Sequence, residues 1–118
     1  MGNLFKGRMQ VPYYYSCFGY SRGGGKTWHG GQDVAGLDSD AILMPDYDGK
    51  SISGTVVTAR KVEKSTGNPT WEWGWYVCVK LDANQTPDAV NYLYFCHNDH
   101  NVAAVGRHVK SGDVLAVM

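Results

Sequence analysis

The chain has 118 residues, of which 43% are hydrophobic and 13% aromatic, which is enough for the core of one domain. Eleven basic and eleven acidic residues give a formal net charge of zero, and the sequence contains no basic stripe. We therefore expect no nucleic-acid partner, because affinity for a polyphosphate depends on clustered lysines and arginines. No apolar run reaches the roughly 20 residues that span a bilayer, so we expect no membrane insertion. The first residues lack the apolar centre of a secretory signal.

The first stretch with chemical promise is WHGGQDVAG, residues 28–36, which places His29 and Asp33 four residues apart around two glycines. Each glycine disfavours a helix by about 1 kcal/mol relative to alanine, and the pair favours a turn or a close backbone approach. In an extended segment, residues an even number apart point to the same face, so His29 and Asp33 can face one site. An imidazole and a carboxylate are two-thirds of the protein ligands of a typical catalytic zinc. On spacing alone, a solvated loop remains the alternative.

Four later segments rich in β-branched and aromatic residues predict strands, at residues 53–62, 73–81, 90–97 and 113–118. The segments between them carry the Gly, Pro, Asn and Asp that are typical of turns, which indicates an antiparallel meander. No window has helical periodicity. We therefore expect an all-β, helix-poor fold, an antiparallel β-sandwich of the duplicated hybrid motif type. It forms a single domain over residues 1–118, with residues 1–14 as an N-terminal arm.

The third of these strands ends in a histidine. Alternation along VNYLYFCH places His97 on the face of Leu93 and Phe95, and Cys96 on the opposite face. Cys96 should therefore stay outside any metal shell near His97, unless the strand bulges there. A strand-end histidine is most often exposed to solvent. The functional alternative is an imidazole beside an activated water or a developing oxyanion, where histidine can move a proton near neutral pH.

Three blocks of the sequence resemble the lysostaphin-type (LytM-like) zinc metallopeptidases. SCFGYSRGGGKTWHGGQDVAG is similar to the opening block, a Phe-Gly-Tyr turn followed by a loop and His-Gly-Gly-x-Asp. AILMPDYDGKSISGTVVTA resembles the second block, in which a Gly introduces a Val-rich strand. YLYFCHNDHNVAAVGRHVKSGDVLAVM resembles the third, with an aromatic strand, a His and then Val-Lys-x-Gly-Asp. The resemblance covers the chain from about Tyr15 to Met118, with the blocks in the family's order.

The resemblance implies a zinc-dependent endopeptidase with Zn²⁺ as its cofactor. His29 and Asp33 match two zinc ligands, and His97 matches the catalytic histidine that lines the site without binding the metal. The family hydrolyses peptide bonds in the stems or cross-bridges of bacterial cell-wall peptidoglycan. Zinc supports this chemistry because it acidifies water and polarises a carbonyl. The expected place of action is the cell wall, and the lack of a visible signal suits either a phage or prophage lysin or a fragment whose leader lies elsewhere.

One motif of the family is missing from the sequence. A His-x-His pair supplies the third zinc ligand and a second catalytic histidine in the family, and the chain stops at Met118 before the pair could occur. We do not expect His100, in a turn, or His108, in a solvent-facing hairpin, to replace it. The apolar end VLAVM favours a truncated domain, because we expect it to leave an unpaired sheet edge.

Aromatic residues outside the zinc motif are candidates for a substrate groove. Tyr15, Tyr20, Trp71 and Trp73 are assigned to it, although packing within the protein is an open alternative for Tyr15 and the two tryptophans. For Trp75 we expect packing against the sheet.

The three cysteines, Cys17, Cys78 and Cys96, suit neither a disulfide framework nor a metal knuckle. We interpret them as mostly buried thiols, with a disulfide between two of them left open.

Two other functions remain. The first is a degenerate, non-catalytic module of the same fold that binds peptidoglycan or an amidase. The second is a swinging-arm carrier, because VGRHVKSGDVLAVM resembles the hairpin of biotinyl and lipoyl domains, although the usual lysine motif is absent.

Overall fold

The computed structural model describes residues 2–10, 19–22, 27–29, 33–61, 74–86 and 91–118, with the backbone alone at 19–22 and 27–29. These residues form eleven strands and no helix, which confirms the prediction of an all-β, helix-poor fold. The strands are β1 (Met9–Gln10), β2 (Gly19–Arg22), β3 (Thr27–His29), β4 (Ala35–Gly36), β5 (Ala41–Leu43), β6 (Ser53–Lys61), β7 (Trp75–Leu81), β8 (Tyr92–Asn98), β9 (His100–Asn101), β10 (His108–Lys110) and β11 (Val114–Val117). Over the same residues, nothing forms a helix suited to crossing a membrane.

The chain divides into two compact units. The smaller unit, Phe5–Asp40, holds two antiparallel pairs, β1 with β4 and β2 with β3. Arg8, just before β1, forms an ion pair with Asp38, just after β4, at 2.7 Å between guanidinium nitrogen and carboxylate oxygen. The backbone N–H of Arg8 also donates to Asp38 at 2.7 Å. The pair therefore ties together the two segments that flank this ribbon.

The larger unit, Met1–Leu4 with Ala41–Met118, contains a four-stranded sheet in the order β10-β6-β7-β8. All three pairings in this sheet are antiparallel, and β6, β7 and β8 are consecutive in the chain. The antiparallel meander predicted from the sequence is thus confirmed for the first three predicted strands, with ends displaced by a residue or two, whereas the fourth, at 113–118, belongs to another sheet. Its three strands are rich in Val, Tyr and Thr, whose branched and aromatic side chains fit a pleated surface.

One face of the four-stranded sheet forms part of the core. Val56, Val77 and Val79 are at most 1% exposed, and the register pairs Val79 with both Val56 and Leu93. Val77 pairs with Phe95, and both β8 partners are partly buried. The alternation predicted for Leu93 and Phe95 therefore holds.

Gly54 permits the close approach of β6 to β7. A Cβ at this position would lie 2.5 Å from the backbone oxygen of Lys80 and 2.7 Å from a methyl group of Val79. Backbone atoms within a sheet have little freedom to move aside, so only glycine fits here.

A second sheet of the larger unit has the order β5-β11-β9, and its central strand is β11. Val117 pairs with Ala41 on one side and with His100 on the other, both antiparallel. Leu115 and Ala116 are fully buried. The expectation that the apolar end of the chain leaves an unpaired sheet edge is therefore wrong, because both edges of β11 are hydrogen-bonded to neighbours.

Candidate functional site

The two residues assigned to zinc lie in the smaller unit. His29 is the last residue of β3, where its Cα partner is Gly19. Its side chain and residues 30–32 lie outside the described part of the chain. Asp33 is described and partly buried, two residues before β4. Because residues 30–32 are outside the described part of the chain, the extended stretch from His29 to Asp33 and the convergence of the two side chains both stay predictions.

His97 lies in the larger unit, within a β-bulge of β8. The register runs from the pair Val77–Phe95 to the pair Trp75–Asn98, so β8 has one residue more than β7 over this interval. His97 has a φ of 61°, in the left-handed region, and its side chain is exposed. For a non-glycine residue this conformation costs about 1–2 kcal/mol. Bulges of this kind re-aim a side chain, so the alternation predicted from Phe95 to His97 does not extend across it.

Two asparagines hold the bulge. Asn98 is 6% exposed, and its Nδ2 donates to the backbone oxygen of Phe95 at 2.9 Å and to Oδ1 of Asn101 at 3.1 Å. Asn101 Nδ2 in turn donates to the backbone oxygen of Tyr76 at 3.0 Å. Asn98 Oδ1 is buried and has no hydrogen-bond partner among the described atoms. This network was not predictable from the sequence, because an asparagine beside a histidine carries no pattern that distinguishes it from a turn residue.

The side chains assigned to the substrate groove are outside what the structure describes. Tyr15, Trp71 and Trp73 are not among the described residues, and Tyr20 is described by its backbone in β2 alone. Trp75, for which we expect sheet packing, begins β7 and retains 37% exposure.

Each of the other two histidines contacts an acidic residue. His100 Nδ1 lies 2.9 Å from Asp99 Oδ2, and His100 belongs to β9 rather than to the predicted turn. His108, exposed as predicted, places Nε2 2.7 Å from Oδ2 of Asp82. Ser53 Oγ donates to the same oxygen at 2.7 Å. The hydrogen bond from Ser53, followed by that from His108, lowers the pKa of Asp82.

This Ser-Asp-His cluster is not a nucleophilic triad. In a triad the imidazole lies between the hydroxyl and the carboxylate, so that it can accept the hydroxyl proton. Here the carboxylate of Asp82 lies between Ser53 and His108, and the acceptors within reach of the serine hydroxyl are Asp82 and Gln85. Across the described ranges, no group of three or more His, Cys, Asp or Glu side chains could hold a metal ion.

Two of the three cysteines are described, and both are free thiols. Cys78 is buried and Cys96 is partly buried against Tyr76 and Cys78. Burial, followed by the neighbouring Cys78, raises the pKa of Cys96 to about 11. Burial likewise raises the pKa of Cys78. Both thiols therefore stay protonated at neutral pH and are poor nucleophiles and poor metal ligands. Cys17 lies outside the described residues.

Comparison of the chain with protein-family models, with curated proteins and with solved structures found no match. The likeness to the lysostaphin type therefore depends on the three ordered motif blocks of the sequence.

Proposed function

We propose that this protein is a zinc-dependent endopeptidase that hydrolyses peptide bonds in bacterial cell-wall peptidoglycan. The observation that carries the proposal is the backbone of His97. This exposed histidine is held in the left-handed region inside a β-bulge, at the position that the resemblance assigns to catalysis. Strained conformations of non-glycine residues concentrate at functional sites, because packing must maintain them against their conformational cost.

The donor chemistry of the first motif fits zinc. An imidazole nitrogen from His29 and a carboxylate oxygen from Asp33 are ligand types that catalytic zinc sites use. A zinc ion held by them would polarise the scissile carbonyl and lower the pKa of a water molecule.

His97 would act on the substrate directly. Its imidazole is exposed, so a peptide can reach it, and its backbone is held by the hydrogen bonds of Asn98. A protonated ring would donate a hydrogen bond to the oxyanion that develops on the attacked carbonyl, and a neutral ring would accept a proton from the attacking water. The bulge fixes the backbone from which the ring projects, and a fixed backbone would reduce the reorganisation needed in the transition state.

The test measures zinc content and peptidoglycan hydrolysis, and it uses the protein in its natural form. Zinc is measured by elemental mass spectrometry, and cleavage of purified peptidoglycan by the appearance of new amino termini. We expect one zinc per chain, lost in His29→Ala and Asp33→Ala together with activity. We expect His97→Ala to keep its zinc and lose hydrolysis, with His100→Ala as the matched control that keeps both.

Equal zinc in the wild type and His29→Ala would contradict the ligand assignment. Binding to peptidoglycan without new amino termini would support the alternative, a non-catalytic module of the same fold.

A further inference from the structure

The four-stranded sheet carries cations but no carboxylate. None of the residues of β6, β7, β8 and β10 is Asp or Glu, whereas four of them, all exposed, are Lys or Arg: Arg60, Lys61, Lys80 and Lys110. The chain as a whole has equal numbers of acidic and basic residues. Folding therefore brings four positive charges from three strands onto one sheet. Asp82, the first residue after β7, is acidic, but its carboxylate is already hydrogen-bonded to Ser53 and His108.

Two tyrosines are exposed on the face of this sheet that points away from the valine core. The register pairs Tyr92 with Lys80 and Tyr94 with Cys78, so both tyrosines share a face with Lys80. They are 48% and 56% exposed. Tyr76, on the same face, is only 6% exposed and supplies the local packing. We call Arg60, Tyr76, Lys80, Tyr92 and Tyr94 the aromatic face.

The aromatic face is held in place by contacts among its own side chains. The rings of Tyr76 and Tyr94 stack with centroids 6.5 Å apart and planes 28° apart. The guanidinium carbon of Arg60 lies 5.5 Å from the centroid of Tyr76, and Arg60 Nε donates to the Tyr76 hydroxyl at 3.0 Å. Arg60 therefore packs on Tyr76, whose ring stacks on Tyr94, and Lys80 is the Cα partner of Tyr92. Side chains ordered in advance lose less conformational entropy when a ligand binds.

We propose that the aromatic face binds an acidic glycan, with sugar rings on Tyr92 and Tyr94 and anionic groups at Lys80 and Arg60. Tyrosine combines an apolar ring with a polar hydroxyl, which suits the apolar faces and polar edges of sugars. Tyr92 and Tyr94 are two residues apart on β8, about 6.6 Å along the strand, so the two rings are presented in a row on one face. Lysine and arginine are suitable partners for carboxylate and phosphate groups.

Charge argues against two other occupants. A second copy of the chain would bring two sheets of the same sign together, and like charges oppose such an interface. A single-stranded nucleic acid could stack on the tyrosines, but its affinity depends on a cationic groove that follows the backbone. Lys80 and Arg60 supply two cations to the aromatic face, which is fewer than a groove that follows a phosphate backbone requires. The proposal is independent of the endopeptidase activity, and each can fail without the other.

The test titrates the ¹⁵N-labelled chain with oligogalacturonate and follows the amide resonances. We expect saturable shifts centred on β7 and β8 that weaken with added salt. Neutral maltooligosaccharides of equal length should bind about tenfold more weakly, because they lack the groups that meet the cations. Oligothymidylate should also bind more weakly than oligogalacturonate.

Variants separate the aromatic face from nonspecific attraction. The exposed positions Tyr92→Ser and Tyr94→Ser together should weaken binding about tenfold or more, as expected for loss of stacking rings. Lys80→Gln should weaken it about threefold, whereas Lys50→Gln, an exposed lysine in the turn after β5, removes the same charge and should have no effect. Amide spectra of each variant confirm that it is folded. The proposal is overturned by absent binding, by equal loss in the two lysine variants, by full binding without the tyrosines, or by tighter binding of oligothymidylate.

Discussion

Asn98 is the buried polar side chain that fastens the β-bulge at His97, and its removal should destabilise the protein and release that backbone. The perturbation is Asn98→Ala, which deletes the donor to the Phe95 carbonyl at 2.9 Å and the donor to Asn101 Oδ1 at 3.1 Å. Because His97 is held in the left-handed region, loss of these two hydrogen bonds should let its φ relax to a more favourable value.

The magnitude follows from two opposing terms. Each lost hydrogen bond contributes about 0.5–1.5 kcal/mol net, so the two together contribute about 1–3 kcal/mol. Asn98 Oδ1, however, is buried without a partner among the described atoms, and removing such an acceptor recovers part of its desolvation cost, about 1–3 kcal/mol. The variant leaves two acceptors short of a donor, so we expect the first term to prevail with a net loss of about 1–2 kcal/mol.

The assay is urea unfolding monitored by tryptophan fluorescence. It compares the wild type with Asn98→Ala, Asn101→Ala and the double variant. The cycle isolates the Asn98–Asn101 contact, for which we expect a coupling of about 1 kcal/mol. Amide scalar couplings and chemical shifts report the φ of His97. An Asn98→Ala variant at least as stable as the wild type would refute the reasoning, since the unpaired acceptor would then outweigh both hydrogen bonds. An unchanged His97 backbone would show that the Asn98 hydrogen bonds do not maintain the bulge.

Three further predictions address charge, thiol burial and glycine positions. Hydrogen bonds from a serine and then a histidine lower the pKa of Asp82, so its carboxylate stabilises the fold above the unfolded pKa, near 4, and this contribution is lost as pH falls through the folded value. Asp82→Asn should therefore lower urea stability at neutral pH and make little difference in strong acid; an equal loss in both would contradict this. The pKa of Cys96 is raised to about 11, chiefly by burial, so the unfolded chain ionises first and stability should fall as pH rises from about 8.5 towards 11. Cys96→Ala should flatten this decline in urea titrations, and a parallel decline would count against it. Gly54→Ala places a methyl group against backbone and should lower the free energy of unfolding, measured by thermal unfolding, by about 2–3 kcal/mol. Gly112→Ala, where φ is 93° but the space around the Cβ is open, should lower it by about 1 kcal/mol. Equal losses in the two variants would contradict this prediction.

If the proposed endopeptidase activity is correct, the Asn98 prediction extends to catalysis. Asn98→Ala should then retain zinc, because the proposed ligands lie in the other unit, and should lose turnover more than substrate affinity. A variant with normal turnover and reduced stability would assign Asn98 to folding alone.

The strands of the larger sheet were predictable because their signal is local. Branched and aromatic side chains at β6, β7 and β8 favour extended backbone whatever they pair with, and the glycine- and proline-containing segments between them favour turns. The same local signal correctly placed Leu93 and Phe95 on one face, since alternation needs only a regular strand, and the structure shows that this is the inner face. The motif containing His29 and Asp33 was also a local pattern, and its convergence on a metal remains a prediction.

Features that depend on long-range pairing were not predictable in the same way. The extra residue at His97 arises from the register between β7 and β8, and a one-residue slip reverses the face of every later side chain. The apolar segment Val114–Val117 reads as a sheet edge in isolation, but pairing on both sides places it at the centre of its sheet.

By itself, the sequence determined the all-β class, the positions of the main strands and the order of its histidine and aspartate motifs, because these depend on residues close together in the chain. Only the tertiary structure decided that Ser53, Asp82 and His108 meet, and that cations from three strands share one sheet whose strands contain no acidic residue. The physical reason is that register and sheet order are set by the burial of whole faces, and no single segment contains that information.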